Sequence, residues 1–305
     1  MSGNKLIVVA GPTAVGKTAV AIRLAEVFGT VVVSADSRQF YREMNIGTAK
    51  PSAEERARVQ HYFVDSHSIA DDYDAATYAE DAHRLFTELF QRYACVILCG
   101  GSGLYIKAVC EGFDEMPDIP DEVRQELITR YESNGIAWLR EKLQELDPEG
   151  LSQLDQQNPH RLIRALEVRI ASGRSILSFR TKQRRTHPFD IVKIALTLPR
   201  EELYARIDAR MDEMIANGLF EEARSLYGWR HKNALQTVGY QEIFDMMDGV
   251  YDEEECIRLL KRNSRRYAKR QLTWFRKDTE FVWFHPGDID GMIRYIEERR
   301  VGPEQ

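Results

Sequence analysis

Two periodicities alternate along the first hundred positions. Leu6-Ile7-Val8-Val9-Ala10, Val31-Val32-Val33 and Cys95-Val96-Ile97-Leu98-Cys99 are short, unbroken apolar runs. Runs of this kind, bounded by turn residues, read as strands buried on both faces, as in a parallel sheet. Between them the spacing changes. Thr18 to Phe28 puts Val20, Leu24 and Val27 on one helical face, and Ala75 to Tyr93 does the same with Tyr78, Ala82, Leu85 and Leu89. A polar stretch with Pro51 and a short apolar piece, Tyr62-Phe63-Val64, separate these two units. Strands alternating with helices predict an α/β fold with a parallel sheet flanked by helices.

The pattern changes after the third strand. From about Phe113 to Pro188 only helical spacing is found, over Asp121–Asn134, Ile136–Leu146 and Pro159–Ser172, with breaks at Asp147-Pro148 and Asn158-Pro159. Ile191 to Leu198 restores a strand. Helices are then predicted over Glu201–Asn217, Glu221–Tyr227, Tyr240–Met247 and Asp252–Lys277, followed by a last strand, Phe281–Phe284, and a last helix, Asp288–Arg300. The expected division is a core of residues 1–112 and 189–305 interrupted by an all-helical insertion of residues 113–188.

Composition narrows the class. The 305 residues include 43% hydrophobic positions, and no apolar run approaches the ~20 residues of a membrane-spanning helix. The chain enters its first strand within a few residues, leaving no room there for a signal peptide. The four cysteines form no C-x-x-C pair, so buried thiols are expected rather than a disulfide or a zinc site. A cytoplasmic protein without a membrane partner follows as the expectation. A net charge of −6 argues against a wholly basic nucleic-acid binder but permits a local basic surface.

The residues after the first strand carry chemistry. Gly11-Pro12-Thr13-Ala14-Val15-Gly16-Lys17-Thr18 has the spacing of a phosphate-cradling loop, between a predicted strand and a predicted helix. That context aims backbone N–H groups and the positive end of the helix at a phosphate. Lys17 would reach the outer phosphate, and the Thr18 hydroxyl would ligate Mg²⁺. Asp36 follows the second strand, on the same predicted rim of the sheet. It suits a general base or a metal ligand, and equally an Asp capping a turn. The third strand runs into Gly100-Gly101 without the acidic Mg²⁺ ligand that many nucleotide hydrolases place there. The loop is therefore expected to hold a phosphate group without hydrolysing a nucleoside triphosphate.

Basic residues gather in two acid-free clusters. One runs from Lys261 to Lys277 and includes Arg265, Lys269, Arg270 and Arg276, with Arg258, Arg262, Arg265, Lys269 and Arg276 on one helical stripe. The other comprises Arg174, Arg180, Lys182, Arg184 and Arg185. Each is either a solvated face or a phosphodiester-binding surface. With a phosphate loop, the second reading suggests a small phosphorylated donor and a nucleic-acid acceptor.

Seven ordered motifs resemble one family. They are Gly11-Pro12-Thr13-x-x-Gly16-Lys17-Thr18, Asp36-Ser37-Arg38-Gln39-Phe40-Tyr41, Asn45-Ile46-Gly47-Thr48-Ala49-Lys50-Pro51, Gly100-Gly101-Ser102-Gly103-Leu104-Tyr105, Asn158-Pro159-x-Arg161-Leu162-x-Arg164-Ala165-Leu166-Glu167, Val238-Gly239-Tyr240-x-Glu242 and Ala268-Lys269-Arg270-Gln271-x-Thr273-Trp274. They look like those of the bacterial tRNA dimethylallyltransferases, also called tRNA isopentenyltransferases, over about residues 5 to 285. The resemblance implies a P-loop core and transfer of a dimethylallyl group from its diphosphate to N6 of the adenine beside the anticodon, at tRNA position 37. It implies Asp36 as the base, with Thr13 and Arg210 contacting diphosphate. It places Asp36, Ser37, Arg38 and Gln39, the stretch His160, Arg161, Leu162, Ile163 and Arg164, and Ser102 and Arg124 against tRNA. Lys269 and Arg270 would add to that surface. Ser102 stands where the family usually has Thr, and His160 where Gln is common. A monomer is expected. The rival readings are a P-loop small-molecule kinase, a prenyltransferase of free adenine nucleotide, and an RNA-binding protein without chemistry.

Overall fold

The computed structural model describes residues 3–114, 116–179 and 185–299. Six strands, β1 (Lys5–Ala10), β2 (Val32–Ser34), β3 (His61–Tyr62), β4 (Cys95–Gly100), β5 (Asp190–Leu196) and β6 (Val282–Phe284), form one sheet in the order β3-β2-β4-β1-β5-β6. Every pairing is parallel. All six positions of β1 and all six of β4 are buried, which is why those runs are continuous rather than alternating. Strand pleating still divides their side chains. Leu6, Val8 and Ala10 pack into the apolar cluster on one face of the sheet, and Ile7 and Val9 into the cluster on the other.

Before the helical insertion, the helices are α1 (Lys17–Phe28), α2 (Ala53–Arg58), α3 (Ala75–Leu89) and α4 (Gly103–Glu111). Within it lie α5 (Asp121–Leu146), α6 (Pro148–Ser152) and α7 (Pro159–Ser172). After it come α8 (Arg200–Ala216), α9 (Leu219–Leu226), α10 (Gln241–Met247), α11 (Glu253–Phe275) and α12 (Ile289–Glu298). The two helices predicted on either side of Gly135 fall within α5, where that glycine takes φ 72 and breaks the helix. The short α2, α4 and α6 and the strand β3 have too little periodicity to be read from sequence. A capping box at Ser52 and Glu55 supports α2, although none of its residues is buried.

The chain divides into two compact units, residues 1–110 with 186–305, and residues 111–185. The first holds the sheet and a third apolar cluster, where α8, α9, α10 and α11 enclose Tyr41 and Met44. The second has its own core, including Leu139, Leu143, Leu162, Ala165 and Leu166. All four cysteines are buried free thiols. Among the described residues, no helix is long and apolar enough to cross a membrane.

Candidate active site

The phosphate loop leaves β1 at the carboxyl edge of the sheet and enters α1 through Gly16, whose φ of 100 only glycine adopts without strain. A Cβ on Gly11 would sit 3.0 Å from the Leu196 carbonyl oxygen, so the loop's close approach to β5 also requires glycine. The first-turn N–H groups of α1, including those of Lys17 and Thr18, are ones a helix leaves without an internal partner. Lys17 folds back along the loop and donates to the Pro12 carbonyl at 2.8 Å. Burial pushes its amine down to about 8, opposed by the charge of Asp36. The Cys99 thiol beside it is pushed up to about 12 by the same burial and is inert at neutral pH.

A cavity of about 80 Å³ lies next to this loop. Its lining includes the polar Thr13, Asp36, Arg38 and Arg210 and the apolar Met211, Met214, Leu219 and Val238. Arg210, from α8, donates to the Thr13 hydroxyl. Burial disfavours the charged guanidinium, and the Asp36 and Glu213 carboxylates oppose that effect. Asp36 follows β2, and its Oδ1 accepts the Arg38 N–H at 3.0 Å. It therefore caps its own turn while facing the cavity, so the structural and chemical readings of this residue coexist.

An open groove of about 410 Å³ shares Arg38, Thr237, Val238 and Tyr267 with the cavity. It also carries Ser37, Ser102, Leu104, Arg270 and Trp274. The Ser102 hydroxyl accepts the Ser37 N–H at 2.9 Å, tying the turn after β2 to the turn after β4. Leu104 and Trp274 are exposed apolar surfaces in this groove, the type of platform on which nucleobases stack.

Several expected tRNA contacts have other surroundings. The Gln39 amide donates to the Thr48 and Ala49 carbonyls at 3.2 and 3.0 Å, so it holds a cavity wall together from within. Leu162 and Ile163 are buried in the core of the second unit, because helical geometry turns them inward from exposed His160 and Arg161; their side chains are not contact surface. In the same unit Arg124 and Arg164 lie 3.3 and 3.2 Å from opposite oxygens of fully buried Glu167. The basic residues of α11 differ in their partners. Arg265 pairs with Asp208 at 2.5 Å and Arg258 with Glu255 at 2.5 Å, while Lys269 and Arg270 are exposed. Of the second basic cluster, Arg180, Lys182 and Arg184 lie outside the described residues.

The structure gives roles to residues for which the sequence pattern assigned none. Glu222 on α9 accepts the N–H groups of Asn45, Ile46 and Gly47 at 2.9, 2.8 and 3.0 Å, and the Tyr240 hydroxyl at 2.5 Å. It thereby fixes the loop whose Gly47, Thr48 and Ala49 line the cavity. A Cβ on Gly47 would meet the Tyr240 ring at 2.6 Å, which accounts for that glycine. Gln271 on α11 contacts both the phosphate loop and the turn after β4.

The parallel sheet, with a glycine loop at its carboxyl edge feeding a helix N-terminus, defines a P-loop-like fold. Comparison with known proteins is more specific. The IPP transferase family model matches residues 39–278, and the chain belongs to that family. It is 51% identical over 294 residues to a tRNA dimethylallyltransferase of Cytophaga hutchinsonii, covering 96% of this chain and 97% of that one. It is 45% identical to tRNA dimethylallyltransferase 1 of Bacteroides fragilis, covering 97% and 99%. Among solved structures it is similar to the full-length tRNA isopentenylpyrophosphate transferase of Bacillus halodurans, at 38% identity and TM-score 0.73 over 97% of each chain. A eukaryotic dimethylallyltransferase acting on tRNA shares the fold, with TM-score 0.76 at 23% identity over 97% of this chain and 77% of that one.

Proposed function

We propose that this protein transfers a dimethylallyl group from dimethylallyl diphosphate to N6 of the adenosine beside the tRNA anticodon, position 37. The observation that carries this reading is the mixed lining of the cavity. Thr13 and Arg210 are hydrogen-bonded and Asp36 acts on Arg210 electrostatically, and the apolar Met211, Met214, Leu219 and Val238 line the same cavity. The polar side chains suit a diphosphate and the apolar ones a short hydrocarbon chain. The adjoining groove offers a way in for a nucleobase, which must leave the stacked anticodon loop to reach such a site. A small-molecule kinase has no use for that groove.

The chemistry follows from these groups. The exocyclic amine is a weak nucleophile because its lone pair is delocalised into the ring, whereas an allylic carbon ionises readily. Lys17, Arg210 and the loop N–H groups stabilise charge on the departing diphosphate. Asp36 takes the amine proton as the new C–N bond forms and the C–O bond to diphosphate breaks. The neighbouring walls hold amine and carbon in line. The described residues contain no cluster of three His, Cys, Asp or Glu side chains suited to a metal. A Mg²⁺ in this site would have the Thr18 hydroxyl as its protein ligand, with the diphosphate and water supplying the rest. When bound, the ion neutralises diphosphate charge. A monomer working in the cytoplasm completes the proposal.

Mass spectrometry of tRNA nucleosides after incubation with dimethylallyl diphosphate tests it. The expected product is N6-dimethylallyladenosine, formed about 10²–10⁴-fold more slowly by Asp36→Asn at unchanged tRNA affinity. Prenylation of free adenine nucleotide instead of tRNA would refute the acceptor assignment.

A further inference from the structure

Gln271 lies on the buried side of α11 and is 6% exposed. Its Oε1 accepts the Thr13 N–H at 2.8 Å, and its Nε2 donates to the Gly101 carbonyl at 2.9 Å. The partners settle the amide's orientation, since an N–H needs an acceptor and a carbonyl needs a donor. A Cβ at position 101 would stand 2.4 Å from Nε2, so Gly101 is small because the amide occupies that space.

The bridge joins two halves of the site. On one side, Thr13 receives the Arg210 guanidinium on its hydroxyl. On the other, Gly101 precedes Ser102, whose hydroxyl accepts the N–H of Ser37, the residue after Asp36. Helix α11 also sends Tyr267 into both the cavity and the groove, one helical turn before Gln271. Arg210, Thr13, Gln271, Gly101, Ser102 and Ser37 thus form one continuous series ending beside Asp36.

We propose that Gln271 is a positioning residue that sets the register between the diphosphate end of the site and the base at Asp36. This assignment rests on the proposed prenyl transfer. The Gln271 amide is spent on Thr13 and Gly101, so it acts through them. The Thr13 N–H is spent on Gln271 and is not a phosphate ligand, so Thr13 meets the donor through its side chain. A side chain with one donor and one acceptor at this reach is required. An ionised Glu presents a second acceptor to the Gly101 carbonyl. A protonated Glu restores both bonds. Burial and that carbonyl push the pKa of such a Glu up, and the Lys17 ammonium near Gly101 opposes them; recovery comes as pH falls.

The test measures kcat and both KM values for wild type, Gln271→Met and Gln271→Glu. Misplacement of reacting groups by about 1 Å costs about 10²-fold in rate. Gln271→Met is accordingly expected to lower kcat by about 10–100-fold, with both KM values within about threefold of wild type. For Gln271→Glu, kcat relative to wild type at the same pH is expected to rise as pH falls from 8.5 to 6. The ratio removes pH effects common to both proteins. A normal kcat in Gln271→Met overturns the proposal, as does a raised donor KM at unchanged kcat. Should the Met variant not fold, a folded Glu variant whose relative kcat is flat with pH overturns it. Wild type that forms no prenylated tRNA defeats the prenyl-transfer reading itself, a result separate from any variant comparison.

Discussion

The Arg210 guanidinium donates to the Thr13 hydroxyl, joining positions 197 apart in the chain at the edge of the cavity. The two side chains should act as a unit on the leaving diphosphate. Arg210→Ala and Thr13→Ala are each expected to lower kcat by about 10²–10³-fold, as removal of one transition-state donor does elsewhere. The double variant should be little worse than the poorer single one. Fully additive losses in log kcat would show that the pair acts independently.

Lys17 makes donor binding depend on pH. In the free protein its amine is lowered to about 8 by burial. Its charged form attracts diphosphate, so donor kcat/KM should hold below that pH and fall as pH rises through it. Binding near pH 8 should take up a proton, seen as different calorimetric heats in two buffers of unlike ionisation enthalpy. The effect on stability has the opposite sign. Between about 8 and the ordinary value of 10.5 the unfolded chain holds more protons, so the contribution of Lys17 to stability increases with pH. Lys17→Met should abolish both dependences.

The basic residues of α11 divide by their partners. Lys269 and Arg270 are exposed, so reversing both charges should weaken tRNA binding and reduce the log–log salt slope by roughly 0.7–0.9 per lost phosphate contact. Arg265 instead pairs with Asp208, at side-chain exposures of 29% and 36%. Arg265→Ala should leave the salt slope unchanged and cost about 0.5–1 kcal/mol of stability. Filter binding across a salt series, with thermal melts, separates the two effects.

The second unit leaves and rejoins the first at neighbouring points. The Arg185 N–H donates to the Glu111 carbonyl at 2.8 Å, and a His187 ring nitrogen lies 2.9 Å from the Cys110 carbonyl. A short linker replacing residues 111–185 can therefore close the gap. The shortened protein is expected to fold, to bind diphosphate and to lose tRNA modification. Ordinary tRNA prenylation by that protein would show that the helical unit is not needed for tRNA modification, and failure to fold would make it part of the core.

What the chain states locally and what it does not is clear from particular residues. The phosphate loop was legible because its glycines, lysine and threonine are consecutive and a buried strand precedes them. The strands β1, β4 and β5 and the long helices were legible because burial on two faces or on one stripe imposes a period. The predicted helices ending at Asn134 and Ser172 stop one residue before Gly135 and Gly173, which take positive φ.

Glu222 had no such local signal, and Gln271 and Tyr240, although inside family-like motifs, had no role legible from them. Their roles depend on partners 175, 258 and 18 positions away, brought near only when the helices pack on the sheet. Packing also sorted chemically similar residues into different places. It left Lys269 in water and set Arg265 against Asp208, and it turned Leu162 and Ile163 inward while Arg161 stayed out. Sequence by itself determined the α/β class, the phosphate loop, the helical interruption and the family. Tertiary structure decided which side chains share the cavity, because a hydrogen bond or an ion pair depends on distance in space, and distance along the chain does not report it.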